Sequence, residues 1–196
     1  IEGQSQSRTI ITIDTDPNVT NCEIVNCTVA GVLDGGTTIR DAIVGAVEMF
    51  NGIITNCIVD GPIILGGTDE AVIKDSSDGK SGSTACKIDM GGDGPPLLMT
   101  NWGGDVELIN KTGLTYEASV DMASGSIRLA DTIVSGTFEL RGIGALDDQS
   151  NGAVVNSTNL INKALLLDIE DSITDLREEN PTTQQISKKV WDEELI

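Results

Sequence analysis

Residues 52–65, GIITNCIVDGPIIL, hold two short β-branched runs parted only by Asp60-Gly61. Isoleucine and valine suit a pleated, half-buried surface. Asp-Gly supplies the left-handed backbone that a tight corner needs. The triplet Thr55-Asn56-Cys57 echoes Thr20-Asn21-Cys22, which hints at a repeat of coil-like length. Runs this short, joined by corners this tight, recur through most of the chain.

Before the window, residues 9–13 (TIITI) and 22–29 (CEIVNCTV) read as strands, with a turn cluster at 14–18 (DTDPN). Residues 38–44 and 46–50 are apolar enough for helix or strand, because short apolar runs do not settle the period. After it, residues 75–83 (DSSDGKSGS) and 91–96 (GGDGPP) read as breaks. Strands are expected at 97–100, 105–110, 117–122, 126–130, 136–142 and 152–156. Several alternate in and out, so one face is buried.

Such strands could build a sandwich, a barrel or a solenoid. Aromatic residues make up only 3% of the 196 positions, whereas compact cores lean on large rings. Thin β-branched strands, scarce rings and triplet echoes favour a stacked core. The expected fold class is mainly β, with a parallel β-helix, or β-solenoid-like, body and a C-terminal α-helical segment. At roughly 20–25 residues per coil and strands about 4.8 Å apart, the body would hold about six or seven coils. The expected division is an N-terminal arm over 1–8, the body over 9–156 and a helical oligomerisation or attachment tail over 157–196.

In that tail Leu166, Ile169, Ile173 and Leu176 are spaced 3, 4, 3. This is an a/d seam two heptads long, and it is the expected oligomer interface. Asn180-Pro181 ends the helix and can open another, with Ile186, Val190, Trp191 and Leu195 as its apolar stripe. Two heptads are marginal alone in water, so the seam must pack on the body or on other copies.

Charge and composition limit the chemistry. Twelve basic and 31 acidic residues give a net charge of −19. That surface repels nucleic acid, whose binding needs cations, and anionic membranes, so neither is expected as a partner. No apolar run approaches a membrane span and no signal peptide is visible. Because the chain opens at Ile1, it is expected to be processed or part of a longer polypeptide. There is no histidine, which removes Ser-His-Asp and Cys-His catalysis. Cys22, Cys27, Cys57 and Cys86 lack zinc-site spacing and read as free thiols in the core.

The carboxylate pairs Asp14–Asp16 and Asp147–Asp148 are the candidates for glycosidase chemistry. Both lie in turn clusters, where Asp serves its own backbone. Neither Asp14-Thr15-Asp16 nor Gly91-Gly92-Asp93-Gly94 fits a calcium loop. The sequons at Asn18, Asn26, Asn110 and Asn156 read as corner or ladder asparagines. The glycine pairs Gly35-Gly36, Gly66-Gly67 and Gly103-Gly104 lack phosphate-binding patterns. The expectation is no catalytic, metal or cofactor-binding residue, no cofactor, and no enzyme.

Three stretches, Gly104-Asp105-Val106-Glu107-Leu108-Ile109-Asn110, Ala118-Ser119-Val120-Asp121-Met122-Ala123-Ser124-Gly125 and Gly136-Thr137-Phe138-Glu139-Leu140-Arg141-Gly142-Ile143-Gly144, resemble segments of tailed-bacteriophage virion proteins. The closing Lys189-Val190-Trp191-Asp192 is similar to an element that follows such regions. The resemblance covers the last half of the chain. It implies a structural fibre, spike or collar component located in the virion, and it carries over no catalytic residue. It also implies a homo-oligomer, expected to be a trimer. The other partners it suggests are virion proteins and a host-surface glycan. A polysaccharide-degrading tailspike and a capsid decoration protein are the alternative readings.

Overall fold

The computed structural model describes residues 1–6, 9–13, 23–33, 36–79, 85–92, 94–112, 117–162 and 167–174. It divides into two units, 1–160 and 161–196. In chain order the strands are β1 (Ile10–Ile13), β2 (Glu23–Val25), β3 (Thr28–Leu33), β4 (Thr37–Arg40), β5 (Ile43–Met49), β6 (Gly52–Thr55), β7 (Ile58–Val59), β8 (Ile63–Leu65) and β9 (Ala71–Lys74). They continue as β10 (Ser77–Asp78), β11 (Cys86–Gly92), β12 (Leu97–Trp102), β13 (Val106–Lys111), β14 (Glu117–Met122), β15 (Ser126–Leu129), β16 (Thr137–Asp148) and β17 (Val154–Asn162).

Among the described residues every assigned strand pair is parallel, and the chain winds as a β-solenoid of about 7 turns. Three stacks of strands form its sides. One runs β2, β4, β6, β9, β12, β14 and the start of β16. A short one runs from the start of β3 through β5 and β7 to β10. The third runs from the ends of β3 and β5 through β8, β11, β13 and β15 to the end of β16.

The core is a set of vertical ladders. In the first stack Ile24, Ile39, Ile54, Ile73, Met99, Val120 and Leu140 lie in register, each on the next. All seven are buried. In the third stack Val47, Ile63, Ile88, Leu108 and Leu129 do the same. Burying an aliphatic side chain of this size is worth about 1.5–3 kcal/mol, so each rung is stabilised chiefly by its two neighbours. Rings also take part: Trp102 and Phe138 are fully buried, so the core is not purely aliphatic.

The coils are less uniform than a single repeat length would make them. Ile24 pairs with Ile39 and Ile39 with Ile54, two short coils of equal length, whereas the coil that pairs Ile73 with Met99 is much longer. Pairing fixes which residues stack, and corners absorb the difference. The true repeat of Asn56-Cys57 is therefore Asn26-Cys27, two of the short coils earlier. Thr20-Asn21-Cys22 lies outside the described residues. The ambiguous stretch 38–50 is strand: β4 and most of β5 alternate between buried and more exposed positions, a period of two.

The ends also differ from expectation. The arm is pinned to the body, because Ile1 O accepts from Val25 N and Gly3 N donates to Val25 O. β17 runs to Asn162, past the expected boundary at 156. Its Val154 N donates to Gly136 O at 2.9 Å, and the Asn156 amide donates to Glu139 at 2.6 Å. That alignment sets Ser157 over Leu140, so the aliphatic ladder ends under a hydroxyl. The second unit contains a helix over 167–174, on which Ile169 and Ile173 are exposed. Leu166, Leu176 and the second expected helix lie outside the described residues.

Candidate functional site

At the corner between the first and second stacks, one residue per coil takes a left-handed backbone. These residues are Asn26, Asp41, Asn56, Asp75 and Asn101, with φ of 55, 53, 51, 48 and 55°. Asn and Asp tolerate this region better than other non-glycine residues because a short polar side chain bonds locally. Each is followed by a buried residue turned into the core: Cys27, Ala42, Cys57, Ser76 and Trp102. The side chains alternate amide and carboxylate up the column. Asn56 Nδ2 donates to Asp41 Oδ1, and Asn101 Nδ2 donates to Asp75 Oδ1 at 2.9 Å. At the lower end Asn26 Nδ2 donates to Gly3 O at 3.1 Å.

This corner forms one wall of a groove of about 450 Å³. Ile58, Ser77 and Gly103 face it, and Gln6 closes one end, where Gln6 Nε2 donates to Asp41 O at 2.7 Å. The ladder favours its register, since each amide gives a proton that the neighbouring carboxylate accepts. A second ladder lies outside the third stack. Lys87, Glu107, Arg128 and Asp147 occupy paired positions on successive rungs. Lys87 Nζ is 2.9 Å from Glu107 Oε2, while Arg128 lies 3.6 Å from Glu107 and 4.0 Å from Asp147. Opposite charges opposed across strands stabilise the register, and like charges oppose it.

The residues named from sequence are dispersed. Asp147 and Asp148 are neighbours on β16, so their side chains leave opposite faces of the strand. Asp147 meets Arg128 and accepts from Gln149 Nε2 at 2.8 Å; Asp148 accepts from Ser150 N at 3.0 Å. Two carboxylates so directed do not flank one glycosidic bond. Asp14, Asp16 and Asn18 lie outside the described residues. Asn26, Asn110 and Asn156 each spend an amide on the fold, Asn110 on Asp89 at 2.8 Å. Among the described residues no cluster of His, Cys, Asp or Glu is arranged to hold a metal ion.

Cys27, Cys57 and Cys86 are buried thiols that form no disulfide; Cys22 lies outside the described residues. Desolvation pushes the Cys57 thiol up from 9.0 to about 11, against smaller opposing backbone hydrogen bonds at Ala42 and Thr55. Desolvation also raises the Cys27 thiol. The folded Cys57 thiol thus holds its proton more tightly than the unfolded one. Its contribution is complete below about pH 9 and is lost as pH rises through about 11, up to about 3 kcal/mol. We expect wild-type stability to fall across that window by more than that of Cys57→Ala, which has no thiol to ionise; equal losses in parallel denaturation curves would refute it. At pH 8 native Cys57 should be alkylated at least ~100-fold more slowly than an exposed thiol.

Sequence reading placed Asn26 as a corner or ladder asparagine but did not join it to Asp41, Asn56, Asp75 and Asn101 in one column. Its signal was present as Asn or Asp before a core residue at the end of each strand. Unequal coil lengths hide it from any fixed-period comparison. Comparison of the chain with protein-family models, with curated proteins and with solved structures gave no match.

Proposed function

We propose that the protein is a structural component of a tailed-phage particle, of fibre, spike or collar type, which works by stiff assembly. The observation that carries the mechanical part is the unbroken ladder from Ile24 to Leu140, braced outside by alternating charges from Lys87 to Asp147. The polar atoms of the corner groove are spent largely on one another, which suits a bearing element more than a reaction centre. The placement in a phage particle rests on the resemblance of residues 104–144 and 189–192 to virion proteins.

In this reading Leu166, Ile169, Ile173 and Leu176 join copies around a rotational axis. Ile169→Asp with Ile173→Asp should lower the sedimenting mass while leaving the β signal in circular dichroism unchanged; an unchanged mass would remove the seam. Antibody against the solenoid should decorate the tail or collar of purified particles. Labelling spread over the shell would instead identify a capsid decoration protein.

A further inference from the structure

Residues 149–162 contain no Asp, Glu, Lys or Arg, the longest such run in a chain of net charge −19. The run contains β17, the last strand of the solenoid among the described residues. Its residues Val154, Asn156 and Thr158 direct backbone groups down onto β16, beginning with Val154 N to Gly136 O. The backbone groups of Val155 and Ser157 point the other way, towards an edge with which no other strand pairs among the described residues.

An open edge is normally defended by charge, proline or a covering segment. At the other end, residues 1–3 lie along β2 and bring Glu2 with them. β17 has neither charge nor proline, and Val154 stands 57% exposed. At β17 two identical strands meet neutral on neutral.

We propose that the outer edge of β17 pairs with the same strand of a second copy, antiparallel and across a two-fold axis. The contact is isologous, so it closes after two copies and builds no open filament. Backbone hydrogen bonds from Val155 and Ser157 supply the attraction, as in strand addition elsewhere. The neutrality of the strand makes the approach tolerable for two strongly acidic molecules, whose remaining repulsion is screened within about 8 Å at physiological salt. The proposal does not depend on the phage reading, and it differs from the helical seam in predicting a doubling of whatever copy number the seam sets.

The test is sedimentation of the full chain beside Val154→Glu with Thr158→Glu. Both side chains are exposed, so the fold should survive, with unchanged circular dichroism. The variant should have half the mass of wild type, and the halving should persist when Ile169→Asp and Ile173→Asp are added to both. Equal masses at all concentrations would overturn the proposal. Hydrogen exchange on wild type gives a second reading that needs no variant. Protection of the Val155 and Ser157 amides should rise with protein concentration. Protection that is absent throughout, or independent of concentration because another part of the same chain covers the edge, would overturn it equally.

Discussion

Ile54→Ala is expected to destabilise the solenoid by about 3–4 kcal/mol, near the upper part of the range for emptying a packed aliphatic site. Ile54 is fully buried, with Ile39 on the rung below and Ile73 on the rung above. Those neighbours are held by their own backbone ladders at about 4.8 Å spacing. They cannot close over the missing methyl groups without breaking pairing on both sides. Val155→Ala makes the contrast, because Val155 is only half-buried against the core at the last rung. It should cost less than about 1 kcal/mol. Urea unfolding followed by circular dichroism checks both, and equal losses at the two positions would mean that stacking is not the main source of stability.

Gly142→Ala should be at least as damaging, by a different route. Gly142 lies inside β16 with φ of 113°, where the strand bends from the first stack towards the third. A Cβ there would lie 2.1 Å from the Met122 carbonyl oxygen on the rung below. The obstacle is backbone, so no rotamer relieves it, and the φ itself costs an alanine about 1–3 kcal/mol. A total above about 3 kcal/mol is expected, read as a fall in the midpoint of thermal or urea unfolding. Gly103→Ala is the matched control: its Cβ would meet only the Ser77 side chain at 3.4 Å and the Ser124 hydroxyl at 3.7 Å, ordinary contacts. If the two substitutions cost the same, the close approach at Gly142 is not what fixes that glycine.

The fold was legible because its physics is local and compositional. Short β-branched runs, such as those that form β6 and β8, have too little chain for amphipathic helices, whereas the run that forms β5 stayed open to either period. The scarcity of rings spoke against a thick sandwich. Register was not legible, because it depends on which coil is short. The step from Asn26 to Asp41 is repeated from Asp41 to Asn56, then lengthens on the way to Asp75 and again to Asn101. The breaks at 75–83 and 91–96 announce the longest step, but nothing announces the lengthening between Asn56 and Asp75. The groove followed the same rule. Asp41 and Asp75 stand apart in sequence and become neighbours of Asn56 and Asn101 only once the coils stack. The adjacent pair Asp147–Asp148 was a candidate for the opposite reason: proximity in sequence suggests a joint role that strand geometry sends to two different faces.

The parallel winding also bears on how the molecule is made. Each rung of the ladder from Ile24 to Leu140 touches a partner only one coil away along the chain. A newly synthesised coil therefore needs only the coil made just before it as a template. At about 5–20 residues per second, a ribosome releases one coil every few seconds, far longer than hydrophobic collapse takes. The polypeptide can thus wind up from its amino terminus during translation, always exposing a single unfinished tier, until the uncharged final tier emerges.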